Sequence, residues 1–208
     1  MARWAGAALI AGSVITGAAQ ALHPTEAPQD AAGFIEYVAE SPNWVGVHWA
    51  ILVGAMLIAA GFAIVYRRLD EAGDRGYALL GFAAALVALA VGTVWVTLEA
   101  AVAAGTANLY AQATDRAAVA ANFQPFVWWD FALARVAFLL TWLSVFLYAT
   151  AMVGAADVYP RWIGTVGRLL GALGFVYLLV AGFGRPFQLI GILTTGWTLI
   201  VGVYTWRE

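Results

Sequence analysis

Long, uninterrupted apolar runs separated by short polar stretches dominate the chain. A bilayer core about 30 Å thick takes roughly 20 apolar residues as helix. Six runs meet that length, at about 4–22, 45–66, 77–104, 126–153, 162–183 and 187–206. Backbone groups cannot stay unpaired in lipid, so each run is read as a helix. The strict alternation of a lipid-facing barrel strand is absent. The pattern predicts an all-α fold: one domain over residues 1–208, a polytopic transmembrane bundle of six helices with short outer-face interfacial helices.

Two polar stretches are too long for turns. Residues 22–44 hold Pro24, Pro28 and Pro42, and the stretch near 30–40 places Phe34, Tyr37 and Val38 against Asp30, Glu36 and Glu40. That spacing predicts an interfacial helix lying on the bundle. Residues 105–125 predict a polar extension of helix three, then a short Ala-rich helix ending near Asn122 and Pro125. Elsewhere the connections are short. Gly184-Arg185-Pro186 reads as a tight turn, with Pro186 in the first turn of the sixth span, where its missing N–H costs little.

Charge then orients the spans. Arg3, Arg67, Arg68, Arg75, Arg161, Arg168 and Arg207 fall on one side, against Arg116, Arg135 and Arg185 on the other. The positive-inside rule makes the first side cytoplasmic, with both termini there, in the inner or plasma membrane. The opposite loops are acidic, through Glu26, Asp30, Glu36, Glu40 and Asp115. Arg3, the first apolar run and Ala19-Gln20-Ala21 also resemble a signal peptide with its cleavage site; a retained first helix is the expectation. The net charge of −2, with no basic run, gives nucleic acid no electrostatic foothold. Without cysteine there is neither disulfide nor thiolate metal site.

Small residues recur at helix-packing spacing: Gly164, Gly167, Gly171 and Gly174 on the fifth span, and Ala55, Ala59 and Ala63 on the second. Such stripes let backbones approach closely in lipid. Packing within the bundle is the first expectation, and a homo-oligomer or partner subunit the second. Of ten Trp, Trp4, Trp44, Trp128, Trp129, Trp162 and Trp206 fall where an aromatic belt is expected. Trp49, Trp95, Trp142 and Trp197 lie deeper.

Candidate chemistry gathers at the outer leaflet. His23 follows the first span, His48 lies one turn into the second, Glu99 near the outer end of the third, Asp130 and Arg135 in the fourth, and Arg185 between the last two. Ionisable side chains inside a membrane face the bundle interior and pair. Asp130 and Arg135, five apart, diverge by about 140° around a helix. The expected pairs are therefore Arg135 with Glu99, and Asp130 with Arg185 or His48. One reading is a satisfied network that fixes helix register. Others are proton or substrate handling by Glu99, Asp130 and His48, or a metal site in which His23 and His48 join a carboxylate. Haem or pigment has no specific motif here, since His23 sits in a loop beside Pro24. A His-Glu-x-x-His helix, a phosphate-binding Gly loop and a Gly-x-Ser-x-Gly elbow are all missing.

Asn43-Trp44, His48, Gly54, Gly61 and Arg67-Arg68 on the second span, with His23-Pro24 after the first, give a last indication. With six spans of this length, the chain resembles the uncharacterised six-helix integral membrane proteins of bacteria and archaea. The resemblance implies a six-helix bundle and carries no activity or site residue. The expected function is a non-catalytic accessory or scaffold subunit, packing with partner helices, lipids or pigments of a larger membrane complex. The alternative is a small transporter or redox or metal-binding protein working through the outer cluster. No internal repeat and no mid-span Gly/Pro break supports a transporter.

Overall fold

A computed structural model describes residues 1–24 and 28–207; Glu26, counted above among the acidic loop residues, lies outside them. Helices α1 (Ala2–Leu22), α3 (Trp44–Glu71), α7 (Arg161–Val180) and α8 (Arg185–Trp206) are four of six spans. The third is α4 (Arg75–Thr97), which runs through a π-helical segment, Leu98–Ala103, into α5 (Ala104–Gln112). The fourth is α6 (Arg116–Gly154), and the short helix α2 (Ala31–Ala39) completes the fold. The chain is an all-α, multi-pass membrane protein in a lipid bilayer environment.

The spans form a closed ring in chain order. Each of α1, α3, α4, α6, α7 and α8 packs on its sequence neighbours, and α8 closes against α1. An even number of spans puts both termini at one end, where Gly6 of α1 meets the backbone of Trp206. The middle of the ring is filled. Phe62 lies against Tyr148 (ring centroids 4.6 Å apart) and against Trp197 (6.1 Å). Leu9, Val65, Met152 and Val201 pack around them.

Polar atoms in this core find carbonyls on the facing helix. Tyr148 Oη donates to Phe62 O (3.0 Å), Trp197 Nε1 to Ile163 O (2.8 Å) and Ser144 Oγ to Gly81 O (2.8 Å). Helical carbonyls keep a second lone pair, so these bonds tie helices together without breaking the ladder. Tyr148→Phe is expected to lower stability by about 1 kcal/mol, read as a lower thermal midpoint in detergent. An unchanged midpoint would mean that the hydroxyl adds nothing.

The seams run on glycine. All four residues of the Gly164–Gly174 stripe are buried against α6 or α8, so the stripe serves packing within the chain. The α1–α3 seam rests on Gly12 and Gly54, facing each other, rather than on Ala55, Ala59 and Ala63, which are half-buried. At the α3–α4 turn Gly73 takes a φ of 91°. Asp74 N donates to Leu69 O (3.1 Å) and Gly73 N to Asp70 O (3.0 Å), the paired bonds of a Schellman end.

At the other end, α2, α5 and the first turns of α6 form a cap. Asp30 and Asp115 cap α2 and α6, accepting from Gly33 N (2.8 Å) and Ala118 N (2.9 Å). Phe34 and Val38 of α2 pack on Ala103, Ala107, Phe123 and Val127 as the amphipathic spacing predicts; Ile35 joins them in the core, while Tyr37 is only partly buried at its edge. Gln124 staples the layer, accepting from Ala31 N (2.8 Å) and donating to Gln29 O (3.1 Å). The polar extension of the third span is α5. No separate Ala-rich helix ends at Pro125, however; α6 runs through it. Proline's fixed φ suits a helix, and the hydrogen bond it forfeits belongs to the carbonyl of Ala121, at an exposed position.

Candidate functional site

Four of the six ionisable residues singled out in the sequence converge beneath the cap. Helix rise places Glu99 about 36 Å from Arg75, Asp130 about 36 Å from Gly154, and His48 about 35 Å from Glu71. The three therefore lie level, at the boundary of a bilayer core whose other face is marked by the Arg-rich end. His23, at the end of α1, reaches the same height. The site is sealed: His48 is 0% exposed, and Glu99 and Asp130 are each 3% exposed.

Two pairs make up the site. In the first, His48 Nδ1 lies 2.8 Å from the Trp44 carbonyl, and His23 Nδ1 lies 2.6 Å from the Pro24 carbonyl. The two Nε2 atoms face each other at 3.3 Å. Burial lowers the pKa of His23, partly opposed by its bond to the Pro24 carbonyl. Gln188 of α8 fixes the end of α1, donating to Gln20 O (2.8 Å) and reaching His23 O (3.4 Å).

The second pair is Glu99 and Asp130, whose carboxyls meet across α4 and α6, beside the Trp95 indole. Two carboxyls this close and this buried cannot both carry charge without a large cost, and a proton held on one of them would relieve it. Glu99 Oε2, Asp130 Oδ1 and Trp95 Nε1 are buried with no hydrogen-bond partner among the described residues. Glu99 belongs to the π segment, a feature that recurs at functional sites.

Trp44 joins the pairs. Its Nε1 donates to Glu99 O (3.0 Å), and its ring lies 4.5 Å from His48 and 5.7 Å from His23, centroid to centroid. The sequence reading assigned Trp44 to the interfacial belt, but it is 4% exposed and sits in the heart of the cap. A signal was present: Trp44 precedes His48, and Trp95 precedes Glu99, by four residues, which places each Trp on the face of its ionisable neighbour. Gln20 and Gln188 carry no such signal, because short amides in apolar runs have no distinctive spacing.

The expected charge pairs do not form. Arg135 is exposed and lies over Gly182 rather than against Glu99. Its divergence of about 140° from Asp130 turns it off the buried face of α6, and its long side chain suits reach toward the polar boundary. Arg185 is exposed at the α7–α8 turn, and Asp130 meets Glu99 rather than Arg185 or His48. Among the described residues no carboxylate joins His23 and His48, and no three of His, Cys, Asp or Glu come within reach of one metal ion.

No protein-family model, curated protein or solved structure matches the chain. The arrangement can hold a proton between two carboxyls and present two imidazole lone pairs to one point. Its chemistry rests on those two facts.

Proposed function

We propose that the protein is a non-catalytic subunit of a larger membrane assembly, holding partner helices, lipids or pigments against its outer surface. In this reading the cap faces outward from an inner or plasma membrane, and both termini are cytoplasmic. The observation that supports it is the division of polar and apolar surface. Glu99, Asp130 and His48 are sealed and paired, while α7 turns Val166, Leu169, Leu173, Val176 and Val180 outward along one face. The polar cluster then fixes the register of α1, α3, α4 and α6, and the recognition surface is the apolar exterior. The filled centre of the ring, around Phe62, Tyr148 and Trp197, favours this reading over a conduit.

The test is purification from native membranes in mild detergent, with mass spectrometry and an absorption spectrum of whatever co-elutes. A partner or pigment in fixed ratio across two detergents is the expected result. A colourless, monodisperse single chain overturns the reading and shifts weight to the transporter or redox alternative at the capped cluster.

A further inference from the structure

A backbone carbonyl can only accept, so the contacts of His23 Nδ1 with Pro24 O (2.6 Å) and of His48 Nδ1 with Trp44 O (2.8 Å) put the proton of each neutral ring on Nδ1. Each Nε2 is then a bare lone pair. The structure sets the two 3.3 Å apart, with the rings edge to face (centroids 5.0 Å, interplanar angle 66°). Two acceptors in contact repel unless something electrophilic lies between them.

We propose that His23 and His48 form a two-histidine site for a divalent transition-metal ion of the zinc type. Geometry selects the ion. With a metal–nitrogen bond of about 2.05 Å, nitrogens 3.3 Å apart subtend about 107° at the metal, close to a tetrahedral angle. A linear two-coordinate ion would need a gap of about 4.1 Å, and a square-planar one about 2.9 Å. An ordinary hydrogen bond from nitrogen spans about 2.7–3.2 Å, so the pair is also set wide for a shared proton. The second shell fits as well. Ligating histidines usually donate their other N–H to a carbonyl or carboxylate, which fixes the tautomer and the ring, and both rings here do so. Gln188 reaches the His23 carbonyl (3.4 Å) and the Trp44 ring packs on His48 (4.5 Å).

Among the described residues no third His, Cys, Asp or Glu comes within reach, so the described residues supply two ligands. A cavity of about 170 Å³ at the cap approaches the pair from the His48 side, lined by Pro24, Glu40, Ser41, Asn43, Trp44 and His48. Its exposed Glu40 carboxylate favours entry of a cation. The proposal stands apart from the subunit reading, because it concerns an ion held within one chain whether or not a partner is present.

The experiment uses the full chain, purified in detergent, stripped with a chelator and dialysed against zinc chloride at neutral pH. Bound metal is measured by atomic emission. About one ion per chain is expected, with affinity at least about tenfold weaker in His23→Gln and in His48→Gln. Because His48 is buried, its replacement can fail to fold; the half-buried His23 keeps the test decisive, with elution profile and thermal midpoint as folding controls. In the wild type, X-ray absorption at the zinc edge should show two imidazole nitrogens. The proposal is overturned if the wild type holds no zinc, or if folded His23→Gln binds zinc as tightly as the wild type.

Discussion

Gly171→Leu is expected to leave little folded protein. A Cβ at this position lies 2.6 Å from the backbone nitrogen of Phe146 and 2.9 Å from its Cα. Those are backbone atoms of α6 and cannot swing aside, so the α6–α7 seam would have to open. Its neighbours on the stripe share the constraint: a Cβ at Gly164 comes 2.7 Å from Ala149 O. Overpacking of this kind costs about 3 kcal/mol, a large part of a typical folding free energy of about 5–15 kcal/mol. Lipid gives helices no hydrophobic reason to associate, so close backbone approach matters more here than in water. Gly196→Leu is the matched control. A Cβ there meets nothing within 4 Å, and leucine improves helix propensity by up to about 1 kcal/mol over glycine. The comparison is the yield of monodisperse protein and its thermal midpoint. Equal behaviour of the two variants would show that the seam does not need its glycines.

The contrast between these glycines shows what hydropathy alone can reach. Six apolar runs of membrane length leave one solution, and the structure has those six spans. Their ends are another matter. Above the bilayer, a polar helix and a polar loop have the same hydropathy, so α6 extends nine residues before Pro125 without any apolar signal. The amphipathic α2 could be read because its stripe of Phe34 and Val38 has helical spacing. In the site, His23, His48, Glu99 and Asp130 stood out because ionisable groups are costly in apolar runs. Their partners did not, because pairing depends on how each helix is rotated. Opposite charges were the natural expectation for Arg135 and Glu99, yet the contact that forms is carboxyl with carboxyl. Two carboxyls can be neighbours when one is protonated, and protons leave no mark in a sequence. Trp44 shows the same limit: its position fits an interfacial belt, and only the fold reveals that α2 covers it.

That carboxyl pair yields the second large effect. Asp130→Leu is expected to destabilise the protein by about 3 kcal/mol, because it strands the Glu99 carboxyl in a site 3% exposed. Replacing both, as Glu99→Leu with Asp130→Leu, should cost less than the single change, since no buried carboxyl then remains to be desolvated. Buried polar pairs exchanged for apolar groups of similar size are often neutral or stabilising. The double-mutant cycle should give a coupling of about 1–3 kcal/mol. Asp130→Asn separates packing from charge: its amide can donate to a Glu99 carboxylate, so it should fall between wild type and Asp130→Leu. Trp95 acts as a sensor of the same contact, since its indole lies beside both carboxyls, and its fluorescence should shift in the single variants. Additive single and double costs would mean that the two carboxyls do not touch. The cap would then be held by its aromatic cluster of Phe34, Trp44 and Phe123 alone, and the level placement of Glu99 and Asp130 would have no energetic consequence.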